Sequence, residues 1–117
     1  MSKRSIACNI TPRVREIVKK RDRGCIFCQC EYHMPPDYDD IFLISLNSYQ
    51  IMHFVPRSQG GLGAPENLAM GCVYHHDMMD NGSGGRRAEM MQFFEDYLRK
   101  HYPGWKKEDQ IYRKWRF

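Results

Sequence analysis

The chain has 117 residues, of which 42% are hydrophobic and 27% charged, and it carries a formal net charge of +4. These values predict a single domain, 1–117, with a small core, and they exclude fibrous and disordered classes. The longest apolar run, 41–46, is too short to cross a bilayer, and no apolar segment follows the basic start of the chain. We therefore expect a cytoplasmic protein with no membrane partner. The mild positive charge permits a nucleic-acid partner without requiring one.

The first predicted element is an amphipathic helix that begins after Thr11. Thr11 is a preferred N-cap residue, and Pro12 fits the first helical position. Three apolar residues at helical spacing predict one buried face: Val14, Ile17 and Val18. Gly24 is expected to end the helix, and a cysteine-rich segment follows, so that helix and cysteines form an N-terminal unit over 11–30.

A hairpin is predicted next in the chain. A loop over 31–40 precedes it, and two strands, 41–46 and 49–55, are joined by a turn at Asn47 and Ser48. Pro56 has no N–H donor for the ladder and is expected to close the second strand.

Two helices follow the hairpin. We expect a glycine-rich loop over 57–66, a short helix from about Cys72 to about Asp80, and a break over 81–85. Apolar residues at helical spacing then predict a second helix over 86–101. The tail, 102–117, mixes aromatic and basic residues, which could contact DNA or dock on the core.

Two short clips of metal-ligand residues occur far apart in the sequence. The chain has five cysteines, and an odd number argues against a disulfide framework. Cys25-x-x-Cys28 and Cys72-x-x-His75 provide the Cys₃His set of a closed, tetrahedral structural zinc site. Cys30 could replace Cys28 in that set. The alternatives are buried or free thiols, or a redox-active Cys25–Cys28 pair.

A motif with several spaced parts runs from the second strand to the last clip. His53 stands near the end of the strand, Val-Pro-Arg-Ser-x-Gly-Gly follows it, Glu-Asn-Leu comes next, and His76 lies directly after the second clip. This order resembles the HNH endonuclease family over residues 50–81 and, through the first cysteine pair, back to about residue 19. The resemblance implies an α+β fold: a ββα-metal (HNH or His-Me finger) core over 41–81, with N- and C-terminal helices and a structural zinc knuckle.

The same resemblance implies a metal-dependent DNA endonuclease that hydrolyses phosphodiester bonds. On spacing alone, a histidine on an apolar strand face is more often a packed core residue. In the family pattern, however, His53 matches the general base, Asn67 the residue that holds the loop and orients that base, and His76 a ligand of one divalent ion. Arg57 could pair with a substrate phosphate in bidentate fashion. We therefore expect the rings of His53 and His76 to converge on one pocket.

The catalytic ion is expected to be Mg²⁺, Mn²⁺ or Ni²⁺. His76 and Asp80 are four residues apart and share one face of the predicted helix, which makes them the best ligand pair. Asp77 and Asn81 are weaker substitutes, and Asp80 could also be a plain surface charge. Many family members place a metal-binding acid or histidine directly before the general base. This chain has Met52 there, a soft thioether that suits such ions poorly.

Two other hypotheses stay open. Met52 favours a non-catalytic zinc module that binds nucleic acid or a protein partner, and the first cysteine pair allows a thiol-redox protein. Small free-standing HNH domains are similar to those of phage genomes, which implies DNA as the partner, phage packaging with other proteins as a setting, and the host-cell cytoplasm as the location. Basic residues of the first helix, Arg86, Arg87 and the tail are candidate contacts to the DNA backbone.

Overall fold

The computed structural model describes residues 2–34, 49–82 and 85–114, and the chain begins there with three helices. They are α1 (Lys3–Cys8), α2 (Pro12–Asp22) and α3 (Ile26–Gln29). The predicted start of α2 is confirmed, because the Thr11 hydroxyl accepts the N–H of Val14 at 3.2 Å. The helix ends at Asp22, and its C-cap, Arg23, adopts the left-handed conformation one residue before the predicted Gly24. The sequence does not indicate α1, since Ile6 is its one large apolar residue.

One prediction for α2 is wrong in part. Val18 is fully buried and Val14 is half-buried, but Ile17 is 41% exposed. The buried stripe of α2 therefore passes through Val14, Val18 and the end of the helix, and it leaves Ile17 at its edge.

The sheet has two antiparallel strands, β1 (Tyr49–His53) and β2 (Leu68–Cys72). The predicted strand over 49–55 is confirmed for its first five residues, and it ends three residues before Pro56. Its expected partner over 41–46 lies outside the described residues. The observed partner, β2, lies just before the short helix, where no strand was predicted, because its alanine and glycine have low strand propensity.

Close packing explains the glycine in β2. A Cβ at Gly71 would lie 2.4 Å from the sulfur of Met52, which is fully buried on the same face of the sheet. A larger residue at this position would displace Met52 from the core.

The connection between β1 and β2 contains two short 3-10 turns, Arg57–Gln59 and Pro65–Asn67, rather than the featureless loop predicted over 57–66. Gly61 sits where the chain folds back on itself, and a Cβ there would lie 1.6 Å from the Val55 carbonyl oxygen. The loop therefore has a defined shape that needs glycine at this point.

Both predicted C-terminal helices are confirmed within one residue. They are α4 (Val73–Asn81), which starts directly at the end of β2, and α5 (Arg87–His101). Of the predicted break over 81–85, residues 83 and 84 lie outside the described residues. After α5, Trp105 docks on the core, where its indole N–H donates to the Glu66 carbonyl at 2.6 Å. Residues 115–117 of the tail lie outside the described part.

Helices cover both faces of the strand pair, which gives an α+β fold. The face that carries Met52 packs against α4, α5 and Trp105 in the main cluster of buried residues. The face that carries Ile51 packs against α2, where Val18, Leu68 and Met70 form a second cluster. No helix in the described part of the chain combines the length and the apolar character that crossing a bilayer requires.

A buried ion pair at the end of α2 connects these layers. The guanidinium of Arg21 donates to both carboxylate oxygens of Asp22, at 2.6 and 3.0 Å, and to the Leu68 carbonyl at 2.5 Å. Asp22 also accepts the N–H of Met70 at 2.8 Å and the hydroxyl of Tyr97. Burial alone would lower the pKa of Arg21, but the partnership with Asp22 raises it, so Arg21 remains charged. The local sequence gives no signal that predicts this pair.

Candidate functional site

Four metal-ligand side chains meet where α3 packs on the start of α4. Cys25 directly precedes α3 and Cys28 lies within it, while Cys72 ends β2 and His75 lies in the first turn of α4. Their ligand atoms all lie within 4.8 Å of one another. The two clips predicted from the sequence therefore form one cluster, although Cys28 and His75 are 47 residues apart in the chain.

The spacing of these atoms suits a tetrahedral metal. With Zn–S and Zn–N bonds of about 2.3 and 2.0 Å, tetrahedral edges are roughly 3.8 Å between sulfurs and roughly 3.5 Å from sulfur to nitrogen. Cys28 Sγ lies 3.6 Å from Cys72 Sγ, and His75 Nδ1 lies 3.7, 3.4 and 3.2 Å from the sulfurs of Cys25, Cys28 and Cys72. All the cysteines are free of disulfides. The cluster could hold a metal such as zinc.

The surroundings of His75 orient it as a ligand. Its Nε2 donates to the Tyr32 carbonyl at 2.5 Å, which leaves Nδ1 to face the three sulfurs. Burial lowers the pKa of His75, but hydrogen bonds to Cys25 and Cys72 raise it to about 10. Hydrogen bonds from Cys25 and Cys28 lower the pKa of the Cys72 thiol. Hydrogen bonds to Cys25 and Cys72 instead raise the pKa of the Cys28 thiol. A zinc ligand set needs deprotonated thiols and a neutral imidazole, so a bound metal would release the protons that these groups hold.

Cys30 does not belong to this cluster. It is exposed, and its thiol donates to the Phe27 carbonyl at 3.2 Å. Among the described cysteines, the set that shares one centre is the one with Cys28, so the alternative of Cys30 in its place is not supported.

Asn67 closes the loop between β1 and β2. It is fully buried; its Oδ1 accepts the Val55 N–H at 2.8 Å, and its Nδ2 donates to the carbonyls of Val55 and Leu62 at 3.1 and 2.9 Å. One side chain therefore joins the exit of β1 to the return of the loop. This is the loop-holding geometry expected for Asn67, and it fixes the backbone two residues beyond His53.

His53 lies at the end of β1 with one free ring nitrogen. Its Nε2 is buried and has no hydrogen-bond partner among the described residues, whereas the ring bonds to the backbone of Cys8. By elimination that bond uses Nδ1, which leaves Nε2 as the acceptor. Burial lowers the pKa of His53, the Cys8 backbone raises it, and the charge of Arg57 lowers it, with a net lowering. His53 is therefore neutral at neutral pH and able to take a proton.

His76 and Asp80 form a pair one turn apart on α4. Asp80 Oδ2 lies 3.1 Å from His76 Nε2, and the Gln50 side-chain oxygen bonds to His76 Nδ1. Since an amide oxygen only accepts, Nδ1 carries a proton and Nε2 faces a carboxylate. A metal cation between Nε2 and the carboxylate would be attracted by both groups. Asp77 and Asn81 instead bond to each other, so they are poor substitutes.

The register of β1 shows the face from which His53 projects relative to Gln50, the partner of His76. Strand alternation places His53 on the face of β1 that carries Ile51, whereas Gln50, the partner of His76, projects from the opposite face. The metal-ligand cluster of the described residues contains neither histidine. His53 thus projects from the face that α2 covers, while α4, which carries His76, packs on the other face; the convergence of the two rings on one pocket stays a prediction.

The remaining expected residues are Met52 and Arg57. Met52 is 0% exposed and packs in the main core, so it offers nothing to an ion. Arg57 is exposed in the turn after β1 and donates to Asn9 Oδ1 at 2.8 Å. The Arg57 guanidinium has further N–H groups that could contact an anion.

Comparisons with models of known protein families, with curated proteins and with solved structures found no match for this chain. The candidate site therefore rests on its own geometry: a Cys₃His cluster that could hold a metal such as zinc, and two separate histidine sites at His53 and His76.

Proposed function

We propose that this chain is a zinc-stabilised, metal-dependent DNA endonuclease of the HNH type. The observation that carries the proposal is the state of His53: a neutral imidazole held at Nδ1, with a buried Nε2 that has no partner in the part of the chain the structure describes, and followed by a loop that Asn67 fixes. A general base needs this combination of a fixed ring and one open acceptor nitrogen.

The reaction transfers one proton to the protein and breaks one P–O bond. His53 Nε2 takes a proton from water, the resulting hydroxide attacks the phosphorus, and the 3′-oxygen leaves and takes a proton from solvent. A divalent ion, which His76 and Asp80 would hold, supplies charge stabilisation for the leaving oxygen when it is bound. The products carry a 5′-phosphate and a 3′-hydroxyl.

Zinc has a structural role in this proposal. Cys25, Cys28, Cys72 and His75 would leave no open coordination position, so the ion would not touch the substrate. It would fasten α3 to the junction of β2 and α4. Because His76 directly follows His75, the same ion would fix the start of the helix that carries the His76–Asp80 pair.

Two observations favour a second candidate, a non-catalytic zinc module that binds nucleic acid. Met52 is buried at the position where HNH nucleases carry a metal ligand, and strand alternation points His53 away from the face of β1 that carries Gln50, the partner of His76. Such a module has a surface available, a groove of about 450 Å³ beside α2. Two of its basic lining residues, Arg15 and Lys19, are four apart on one face of α2, and a third, Arg23, is the C-cap of that helix.

A plasmid-nicking assay separates the two candidates. Supercoiled DNA is incubated with the protein and Mg²⁺, Mn²⁺ or Ni²⁺, with EDTA as the metal-free control. His53→Ala is compared with His101→Ala, an exposed histidine of α5 outside both histidine sites. Zinc content and circular dichroism are measured on each protein, so that loss of fold is recognised.

If the chain is a nuclease, the parent and His101→Ala should cut the plasmid, whereas a folded, zinc-loaded His53→Ala should not. Equal cutting by His53→Ala would refute it. DNA binding without cutting under every ion would establish the binding module instead. A chain that contains no zinc and cycles a Cys25–Cys28 disulfide would be a redox protein.

A further inference from the structure

A small pocket with two guanidinium groups lies beside His53. It has a volume of about 340 Å³ and lies between α1 and the turn after β1. Its lining residues are cationic, hydroxylic or thiol-bearing, and none is a carboxylate: Arg4, Ser5, Cys8, Arg57 and Ser58. A pocket with two positive charges and two hydroxyl donors suits an anion.

The first helix builds one wall of this pocket. Cys8 is four residues after Arg4 and three after Ser5, so both side chains lie next to Cys8 on the surface of α1. The end of the helix is attached to the β1–β2 loop by the Gly63 N–H, which donates to the Ala7 carbonyl at 3.0 Å. The contact between Arg57 and Asn9 closes the opposite side.

Both guanidinium groups have donors to spare. Arg4 gives one bond to the Ser58 carbonyl at 3.2 Å, and Arg57 gives one to Asn9. Neither forms a salt bridge with any residue that the structure describes. A guanidinium has five N–H groups, so most of the donor capacity of this pair is open to a ligand.

The pocket adjoins the proposed general base. Cys8 lines the pocket and its backbone also holds the His53 ring, and the charge of Arg57 is close enough to lower the pKa of His53. The His53 ring is thus joined through Nδ1 to a residue that lines the pocket. An anion in the pocket would lie within electrostatic reach of that ring.

We propose that this pocket binds a phosphodiester group of the substrate next to His53, and that Arg4 of α1 is a substrate-binding residue together with Arg57. The assignment of the ligand as a DNA phosphate rests on the proposed nuclease function. It extends that function by giving the N-terminal helix a direct part in binding the substrate.

Dimethyl phosphate is a suitable probe, because it has the single charge of a phosphodiester and no bases. It is titrated into the ¹⁵N-labelled full chain without a divalent ion, and NMR follows the arginine Nε–H and histidine ring signals. Arg4→Gln is compared with Arg4→Lys, which retains the charge, and with Lys3→Gln, which removes the neighbouring exposed charge of the same helix.

We expect the probe to shift the signals of Arg4, Arg57 and His53 together. Loss of a charged hydrogen bond predicts about tenfold weaker binding by Arg4→Gln, a smaller loss by Arg4→Lys and none by Lys3→Gln. No shift of the arginine signals, or equal weakening by Arg4→Gln and Lys3→Gln, would overturn the pocket. If Arg4→Gln loses the helical circular dichroism of the parent, the comparison is made between Arg4→Lys and the titration of the parent.

A cleavage series distinguishes this inference from the proposed function. If His53→Ala stops cleavage but Arg4→Gln changes neither probe binding nor KM, the phosphate-binding role of the pocket is refuted and the nuclease function is supported. If the probe binds through Arg4 and Arg57 but no variant or ion gives cleavage, the anion-binding role of the pocket is supported and the nuclease function is refuted.

Discussion

Replacing Asp22 by Asn tests how the layers of the fold are held together. The two side chains are nearly equal in volume, so packing is preserved and the main change is the loss of one buried negative charge. The side chain of Arg21 is 10% exposed and that of Asp22 is 0% exposed. Arginine does not release its proton, so Asp22→Asn leaves a buried cation without its counter-ion.

Breaking a buried ion pair by removing one partner costs about 3–5 kcal/mol. A domain of this size has a free energy of unfolding of about 5–15 kcal/mol, so the change is a large fraction of the total. With a urea m-value of about 1.5 kcal/mol/M, the unfolding midpoint should fall by roughly 2–3 M.

Urea unfolding followed by circular dichroism, on zinc-loaded protein, measures the effect. Glu95→Gln is the matched control, because it removes one charge from the exposed Arg99–Glu95 pair, whose N–O distance is 3.0 Å. That pair should contribute less than about 1 kcal/mol. If Asp22→Asn loses no more stability than Glu95→Gln, the description of the pair as a structural connection between the layers is wrong.

Three further predictions concern the metal cluster, the loop and pH. Cys72→Ala should lose about one zinc ion per chain and most of its thermal stability, as measured by elemental analysis and melting, whereas Cys30→Ala should keep both. Asn67→Ala should lose about 2–4 kcal/mol in urea unfolding, because it leaves the buried Val55 N–H without its acceptor, while the exposed Asn81→Ala should lose under about 1 kcal/mol. The folded state lowers the pKa of His53, so its contribution to stability is present above about pH 6.5 and is lost as the pH falls through the lowered value. Between pH 7.5 and 5 the free energy of unfolding of the parent should therefore fall relative to that of His53→Asn. A difference between the two proteins that does not depend on pH would contradict this.

The parts of the fold that the sequence predicts are those with strong local signals. Thr11 and Pro12 mark the start of α2 by capping chemistry, and the two clips at Cys25 and Cys72 predict one metal cluster because their spacing matches a tetrahedral site. The helical spacing over 86–101 reflects a single buried face on the core.

The parts that sequence reasoning missed depend on tertiary context. β2 has weak strand propensity, and its pairing with β1 determines its conformation. Asp22 looks like one more surface charge until the fold surrounds it with Met70 and Tyr97. Arg4 lies in a helix of six residues with no periodic signal, so its approach to the turn after β1 could not be expected.

The relative placement of the two histidines also depends on tertiary context. A motif gives the order of His53 and His76 along the chain, but the face on which each ring lies depends on strand register and on which helix covers which side. The sequence signal is compatible with rings that converge and with rings that do not. The register of β1 on β2 determines the face from which His53 projects.

Chemical rescue of His53→Ala tests the central claim most directly. Initial rates of plasmid nicking are measured for the zinc-loaded parent and for His53→Ala, with and without added imidazole. If His53 is the general base, the variant should be slower by about 10²–10⁴-fold and should regain part of the rate with imidazole. A His53→Ala rate equal to the parent rate would contradict the account.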